Sequence, residues 1–289
     1  MVQSVAAPRS RWWRTIACTA LVTLACAACG PTEPGPRAVS DSSAPATTPS
    51  TPSGVHERAA PQPFGVQILE SVRTDEADTR GLELVDDRLV ENTGQTIRAL
   101  AIDTADVRMQ QDVPQALQGN GIALTPAGLW QTSGDSAVLR DPKTLAERRR
   151  VPLTGQSWGL CHDGTHLVQS EGTTRLLLRD HDSFAPTGEV HLATHQWSTA
   201  RLGELHCVTI DGYPQVWAAV TGTDWMIRVD LSTGITTAVA DLTPITVAEQ
   251  PTGTDQVIGG IAAAQAADEL WLTGRHYHHR YRIRLQPRQ

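Results

Sequence analysis

From residue 64 to residue 289 short apolar runs alternate with turn residues, and no helical period persists for more than a turn or two. Setting the strand-turn-strand units side by side exposes a repeat. The units are Gly81-Leu-Glu-Leu-Val-Asp-Asp-Arg-Leu-Val-Glu, Gly121-Ile-Ala-Leu-Thr-Pro-Ala-Gly-Leu-Trp-Gln, Trp158-Gly-Leu-Cys-His-Asp-Gly-Thr-His-Leu-Val-Gln, Leu205-His-Cys-Val-Thr-Ile-Asp-Gly-Tyr-Pro-Gln-Val-Trp and Gly260-Ile-Ala-Ala-Ala-Gln-Ala-Ala-Asp-Glu-Leu-Trp. After most of them comes a second strand pair, such as Ala137-Val-Leu-Arg-Asp-Pro-Lys-Thr-Leu145 or Met226-Ile-Arg-Val-Asp-Leu-Ser-Thr-Gly234, turned by residues that favour hairpins. Four short strands recurring about every 45 residues predict an all-β, five-bladed β-propeller over residues 64–289. A β-sandwich or irregular barrel fits so regular a period less well. Two stretches, 243–250 and 262–268, read as either loop or short helix.

The first 63 residues follow a different pattern. Arg9, Arg11 and Arg14 form a basic head, and 15–28 is a run of small apolar residues. That run is short of the about 20 apolar residues that span a bilayer, so 1–28 reads as an export signal. It ends Leu24-Ala-Cys-Ala-Ala-Cys29-Gly30, which resembles a bacterial lipobox with Cys29 as the lipidated residue and Cys26 as a second candidate; an ordinary cleaved signal is the alternative. Residues 29–63 are rich in Pro, Ser and Thr and too poor in large apolar residues to offset the entropy of ordering. They read as a disordered tether, which at about 3.1 Å per residue would reach roughly 100 Å. The expected location is the extracytoplasmic face of a bacterial cell membrane, with secretion as the alternative.

The chain carries 31 acidic against 24 basic residues. Loss of the three signal arginines would leave a net charge of about −10, which argues against a nucleic-acid partner. No Gly-rich phosphate loop, Ser-His-Asp order or metalloprotease helix is present.

Several motifs then stand in order: Arg80-Gly-Leu-Glu-Leu-Val-Asp-Asp-Arg-Leu-Val-Glu-Asn-Thr-Gly94, Trp158-Gly-Leu, Glu204-Leu, Gly260-Ile-Ala and Thr273-Gly-Arg-His-Tyr-His-His-Arg-Tyr-Arg-Ile283. Together they resemble the plant and bacterial type of glutaminyl-peptide cyclotransferase, a five-bladed propeller enzyme that cyclises N-terminal glutamine. The resemblance covers the whole domain and implies a metal-independent acyltransferase, with no cofactor, acting as a monomer on the N-terminus of a peptide or protein. Glu91 stands at the glutamate of the family's Glu-Ser-Thr-Gly, which the resemblance marks as the acid/base. Departures fall where the family has its pocket. Phe-Thr-Gln-Gly becomes Asp78-Thr-Arg-Gly81, Gly-Glu-Gly becomes Gly119-Asn-Gly121, Leu-Thr-Trp becomes Thr132-Ser-Gly134, Asn-Glu-Leu-Glu becomes Gly203-Glu-Leu-His206, Ala-Asn-Val-Trp becomes Ala218-Ala-Val-Thr221, and the closing lysine becomes Arg275.

Cyclisation needs a curled substrate, a base for the attacking α-amine, an oxyanion partner and an acid for leaving ammonia. One carboxylate of raised pKa can make both proton transfers. Glu91 is expected in that role, Trp158 as the apolar floor, Glu204 at the α-ammonium, and Arg80 or Arg275 at the amide carbonyl. Each has a plainer alternative: Glu91 capping a hairpin, Trp158 packing between blades, Glu204 paired with an arginine. Arg80 beside Glu91 would depress the carboxylate, leaving a propeller that binds a peptide or small ligand without turnover, while a mouth closed by side chains would favour a purely structural protein. Cys161 and Cys207 sit at related places in consecutive repeats, either bridged or as buried thiols. His276 and His278 share a strand face if that segment is a strand, but two imidazoles fall short of a catalytic zinc set, so no metal site is expected.

Overall fold

The computed structural model describes residues 60–114, 118–193 and 195–289. The expected signal, the lipidation candidates Cys29 and Cys26, and most of the expected tether lie outside the described residues. Strand β1 (Gln62–Arg73) begins slightly before the expected domain boundary at residue 64. Blade 1 then comprises β2 (Gly81–Val85), β3 (Arg88–Asn92), β4 (Thr96–Ala101) and β5 (Val107–Asp112), and blade 2 β6 (Gly119–Thr125), β7 (Gly128–Ser133), β8 (Ser136–Arg140) and β9 (Glu147–Pro152). Blade 3 is β10 (Leu160–His162), β11 (His166–Ser170), β12 (Arg175–Asp180) and β13 (Pro186–His191), and blade 4 is β14 (Leu202–Ile210), β15 (Tyr213–Val220), β16 (Trp225–Asp230) and β17 (Thr236–Asp241). After helix α1 (Thr243–Glu249), β18 (Ile258–Ala263), β19 (Glu269–Gly274) and β20 (His279–Pro287) make blade 5.

The fifth blade takes its outer strand from the other end of the domain. β1 pairs antiparallel with β20, from Phe64 opposite Pro287 to Arg73 opposite His279. It also pairs parallel with β17 of blade 4, which joins two blades into one eight-stranded sheet. The innermost strands touch in a closed ring, β2 to β6 to β10 to β14 to β18 and back to β2. Five blades, as the repeat predicted, therefore surround one axis.

Residues 243–250, ambiguous from sequence, form α1, which ends at Gln250 in the left-handed conformation with φ 52°. Residues 262–268 finish strand β18 and turn into β19. The turn from third to outer strand repeats one device: Asp141, Asp180 and Asp230 each accept backbone N–H bonds from the residues that follow. This is the turn chemistry that the Asp-Pro-Lys-Thr and Asp-Leu-Ser-Thr-Gly stretches announced.

Among the described residues the buried apolar side chains fall into five clusters, one in each gap between neighbouring blades. Trp130, Leu160 and Phe184 fill the gap between blades 2 and 3; Leu82, Leu89 and Trp271 fill the closing gap between 1 and 5. A fully buried leucine or phenylalanine contributes roughly 1.5–3 kcal/mol relative to exposure. No blade has an interior of its own, so the fold is stable only as a ring.

At particular glycines near the axis this packing leaves no room for a side chain. A Cβ added to Gly121 would lie 2.5 Å from the Leu160 amide nitrogen, and one added to Gly159 would lie 2.6 Å from the Gly203 carbonyl oxygen. Gly121→Ala should therefore lower unfolding stability by roughly 1–3 kcal/mol through overpacking against backbone. Gly164→Ala serves as control: no atom would lie within 4 Å of its added Cβ, although its φ of +97° adds backbone strain. Urea denaturation of the two variants checks this, and a Gly121→Ala domain as stable as wild type would contradict the close contact.

Candidate active site

The residue just before this tight contact is Arg80, Asn120, Trp158, Gly203 and Gly259 in blades 1 to 5, and all five line one cavity of about 460 Å³. Matching positions of the five repeats thus converge on a single mouth. The next position is Gly81, Gly121, Gly159 and Gly260 in four blades, where an added Cβ would come within 2.5–2.8 Å of the following blade. In blade 4 it is Glu204. The inner strand that follows it, β18, has Gly259-Gly260 at the same repeat position and so presents no side chain there.

Glu204 is 3% exposed, yet it lines the cavity. Its Oε1 has no hydrogen-bond partner, while the Leu205 amide donates to the carboxyl. Burial, and secondly the charge of Glu83, push its pKa well above the ordinary glutamate value. Glu83 lies on β2 between Leu82 and Leu84 and receives N–H bonds from Leu84 (3.2 Å) and, across the blade boundary, Leu124 (3.3 Å). Solvent reaches part of this side chain, but protein surrounds its carboxyl and raises the pKa to about 7. Two residues beyond Glu204, burial lowers the His206 pKa to about 4, so this imidazole is neutral at neutral pH. A buried carboxyl with a raised pKa and an unpartnered oxygen beside a cavity is suited to exchange a proton with a bound ligand.

Glu91 does not lie where the sequence analysis expected it. It is buried on β3 behind Thr79 and is not part of the cavity wall. Thr79 donates its hydroxyl to Oε1, and Arg98 Nε donates to Oε2 at 2.5 Å. The same Arg98 holds Asp75 through both terminal nitrogens, at 2.6 and 2.7 Å. Burial works against the charge of Arg98, but Asp75 and Glu91 outweigh it and raise its pKa. Gln131 and Gln169, at the matching second-strand place, also accept from a third-strand arginine, Arg140 Nε at 2.6 Å and Arg179 Nε at 2.5 Å, but those arginines stand two residues further along the strand than Arg98, which lies directly opposite Glu91. Glu91 is the acidic version of a structural acceptor that ties second strand to third.

Arg80 forms no ion pair with Glu91. Its Nε and one terminal nitrogen bind Asp78 at 2.9 and 2.7 Å, and Arg275 Nε binds the other oxygen of Asp78 at 2.7 Å. Burial pushes Asp78 up, but these two arginines outweigh it and hold the carboxylate below its usual range. Arg80 and Arg275 both line the cavity, with Asp78 behind them. Trp158 lines it too, its ring abutting Gly172 and carrying the Arg201 guanidinium 4.8 Å from the ring centroid. Of the expected pocket departures Arg80, Asn120, Gly203 and Thr221 line the cavity, whereas Gly134 does not.

Cys161 of β10 and Cys207 of β14 form a disulfide with their Cα atoms 5.5 Å apart, linking the inner strands of blades 3 and 4. His276 and His278 do not share a strand face; they lie in the connection between β19 and β20. His278 instead contacts the buried Glu249 of α1 at 2.8 Å, and Tyr281 donates its hydroxyl to the same carboxylate at 2.8 Å. Arg98, Arg201 and Glu83 were not singled out from sequence. Arg98 stands where blades 2 and 3 have Val138 and Leu177, so no repeat signal marked it, whereas a lone carboxylate inside an apolar inner strand signalled Glu83.

The sequence profile described as glutamine cyclotransferase matches residues 40–285. The chain belongs to this family. A glutaminyl-peptide cyclotransferase of Arabidopsis thaliana is 25% identical over 232 residues, covering 76% of this chain and 70% of its own length. The crystal structure of Myxococcus xanthus glutaminyl cyclase superposes with a TM-score of 0.72 at 24% identity, over 80% of this chain and 100% of that one, and so shares the fold. In this cyclotransferase-family chain the carboxylates lining the cavity are Glu204 and Asp255, and the second-blade position that the family pattern gives to glutamate is Asn120.

The raised pKa of Glu83 carries a sign for stability. The folded state keeps the proton that the unfolded chain releases above pH 4.5, so stability falls as pH rises from about 4.5 to about 7 and is flat above that. The thermal midpoint of wild type should drop across that window by roughly 5 °C more than that of Glu83→Gln. Parallel melting curves at pH 5 and pH 8 measure it; equal drops for both proteins would show that Glu83 titrates like an exposed glutamate.

Proposed function

We propose that this chain converts the N-terminal glutamine of peptides to pyroglutamate with release of ammonia, in the cavity at the mouth of the propeller, using Glu204 as general acid/base. The observation that carries the reading is the unpartnered Oε1 of a buried carboxyl at the cavity, whose pKa is raised mainly by burial. The α-amine of the substrate attacks its own γ-carbonyl carbon. Glu204 takes the proton that the amine loses and gives it to the departing nitrogen, so that the C–N bond to ammonia breaks as the ring bond forms. A carboxyl whose pKa is shifted toward neutrality serves both halves of that exchange better than an ordinary one.

The surrounding residues suit the remaining tasks. Asn120 faces the cavity from the inner strand of blade 2 and can hydrogen-bond the carboxamide. Arg275 uses Nε on Asp78, which leaves its terminal nitrogens for the carbonyl oxygen that becomes an oxyanion. Trp158 supplies apolar wall. Glu91 has a structural part in this reading, holding Thr79 at the cavity wall through a bond that Arg98 anchors from behind. The basic head, apolar run and Cys29 further support a lipid-anchored protein acting on exported peptides outside the cytoplasm.

The test is mass spectrometry of a short glutamine-initiated peptide incubated with wild type, Glu204→Gln and Glu91→Gln. Wild type should release ammonia above the buffer blank, and Glu204→Gln should lose about 10²–10⁴-fold in kcat/KM. Glu91→Gln restores the residue that blades 2 and 3 use at that place; it should keep activity within roughly tenfold while losing about 1–3 kcal/mol of stability. A folded Glu91→Gln that is dead, beside an active Glu204→Gln, would return the acid/base role to Glu91. Folded wild type without turnover would favour a propeller that only binds its ligand.

A further inference from the structure

Three arginines line the cavity, and they differ in what holds them. Arg80 and Arg275 share Asp78, so most of their charge is already answered. Arg201 is exposed and has no carboxylate within ion-pair range among the described residues; its contact is the face of Trp158. Glu171, the nearby acid across the blade boundary, is taken by Arg175 at 2.7 Å. Asp255, on the rim loop, turns back toward Gly253, where its Oδ1 would lie 2.6 Å from an added Cβ. The stacking matters because it fixes a long side chain that would otherwise lose rotamer freedom on binding. Arg201 is therefore a pre-oriented cation without a partner at the edge of the cavity.

Its place relative to Glu204 defines what it can meet. The two residues lie three positions apart along one stretch of chain, roughly 10 Å at strand spacing. A substrate whose first residue reacts at Glu204 has its second Cα about 3.8 Å further on, and an aspartate or glutamate side chain there spans the remaining distance to a guanidinium that itself reaches inward. Gly203 and Thr221 border the path between them with little side-chain volume.

We propose that Arg201 is a specificity residue that selects peptides carrying an acidic residue directly after the N-terminal glutamine. This rests on the cyclotransferase reading given above. The favoured substrates begin Gln-Glu or Gln-Asp, and those beginning Gln-Lys or Gln-Arg are disfavoured by like charge. The carboxylate would dock on the outer edge of the guanidinium, whose face is already committed to Trp158.

Three peptides beginning Gln-Glu, Gln-Gln and Gln-Lys, otherwise identical, are compared with wild type, Arg201→Gln and Arg201→Glu by mass spectrometry at low and high salt. Wild type should prefer Gln-Glu over Gln-Gln by about tenfold in kcat/KM, carried in KM, with the preference shrinking at high salt. In Arg201→Gln the ratio falls to about one, and in Arg201→Glu it inverts toward Gln-Lys. Equal values for the three peptides with an active wild type, or a preference that survives in Arg201→Gln, would overturn the assignment while leaving the cyclotransferase reading intact. If no peptide is turned over by folded wild type, the catalytic reading fails. Arg201 is then judged by calorimetric binding of the same peptides: tighter binding of Gln-Glu, lost in Arg201→Gln, upholds its role, and equal or absent binding refutes it.

Discussion

Everything near the axis of this protein depends on how closely adjacent inner strands approach. Four of the five inner strands carry a glycine where a Cβ would strike the next blade at under 3 Å. Three of these contacts are with backbone atoms and the fourth, at Gly260, is with the Leu82 Cβ, so the inner ring is set by van der Waals distance and has little slack. Because the five apolar clusters all lie between blades, closing the ring and burying the core are one event. The pairing of β1 with β20, at the two ends of the domain, completes it.

That constraint also creates the site. The residues just outside the glycine contacts are forced to face one another, which is how an arginine, an asparagine and a tryptophan from three different repeats come to share one cavity. Hydrogen bonds from the preceding blade hold this rim: Asn92 donates to the Asn120 carbonyl at 2.5 Å and Ser170 to the Gly203 carbonyl at 2.6 Å. Glu204 breaks the glycine pattern at its one interruption, and its burial follows from standing where other blades have no side chain. The functional group and the packing rule are thus the same feature seen twice.

Much of this was legible in the chain. Five repeats with strand-turn-strand patterning specify the propeller, since period and turn chemistry act locally. The convergence of matching positions followed from the architecture, and Trp158, Glu204, Arg80 and Arg275 do meet at the cavity. What could not be read was direction. Glu91 lies on a second strand, and whether such a residue faces the mouth or the third strand depends on a three-dimensional partner, here Arg98. The alignment of Glu91 with Gln131 and Gln169 held a clue, because a position that tolerates a neutral amide in sister repeats is more often a structural acceptor than a proton carrier. Likewise Arg80 and Arg275 meet only because β18 to β20 close against blade 1, bringing Asp78 between them.

Glu204 keeps a proton to unusually high pH because it is buried at the one interruption of the glycine ring, where one of its oxygens is left without a hydrogen-bond partner beside the cavity. Carbon-13 NMR of glutamate side-chain carboxyls, assigned by loss of a resonance in Glu204→Gln, tests it most directly. The Glu204 carboxyl should titrate well above the ordinary glutamate range, with a midpoint that moves down when Glu83 is replaced by glutamine. A Glu204 resonance that titrates like a solvent-exposed glutamate would contradict it.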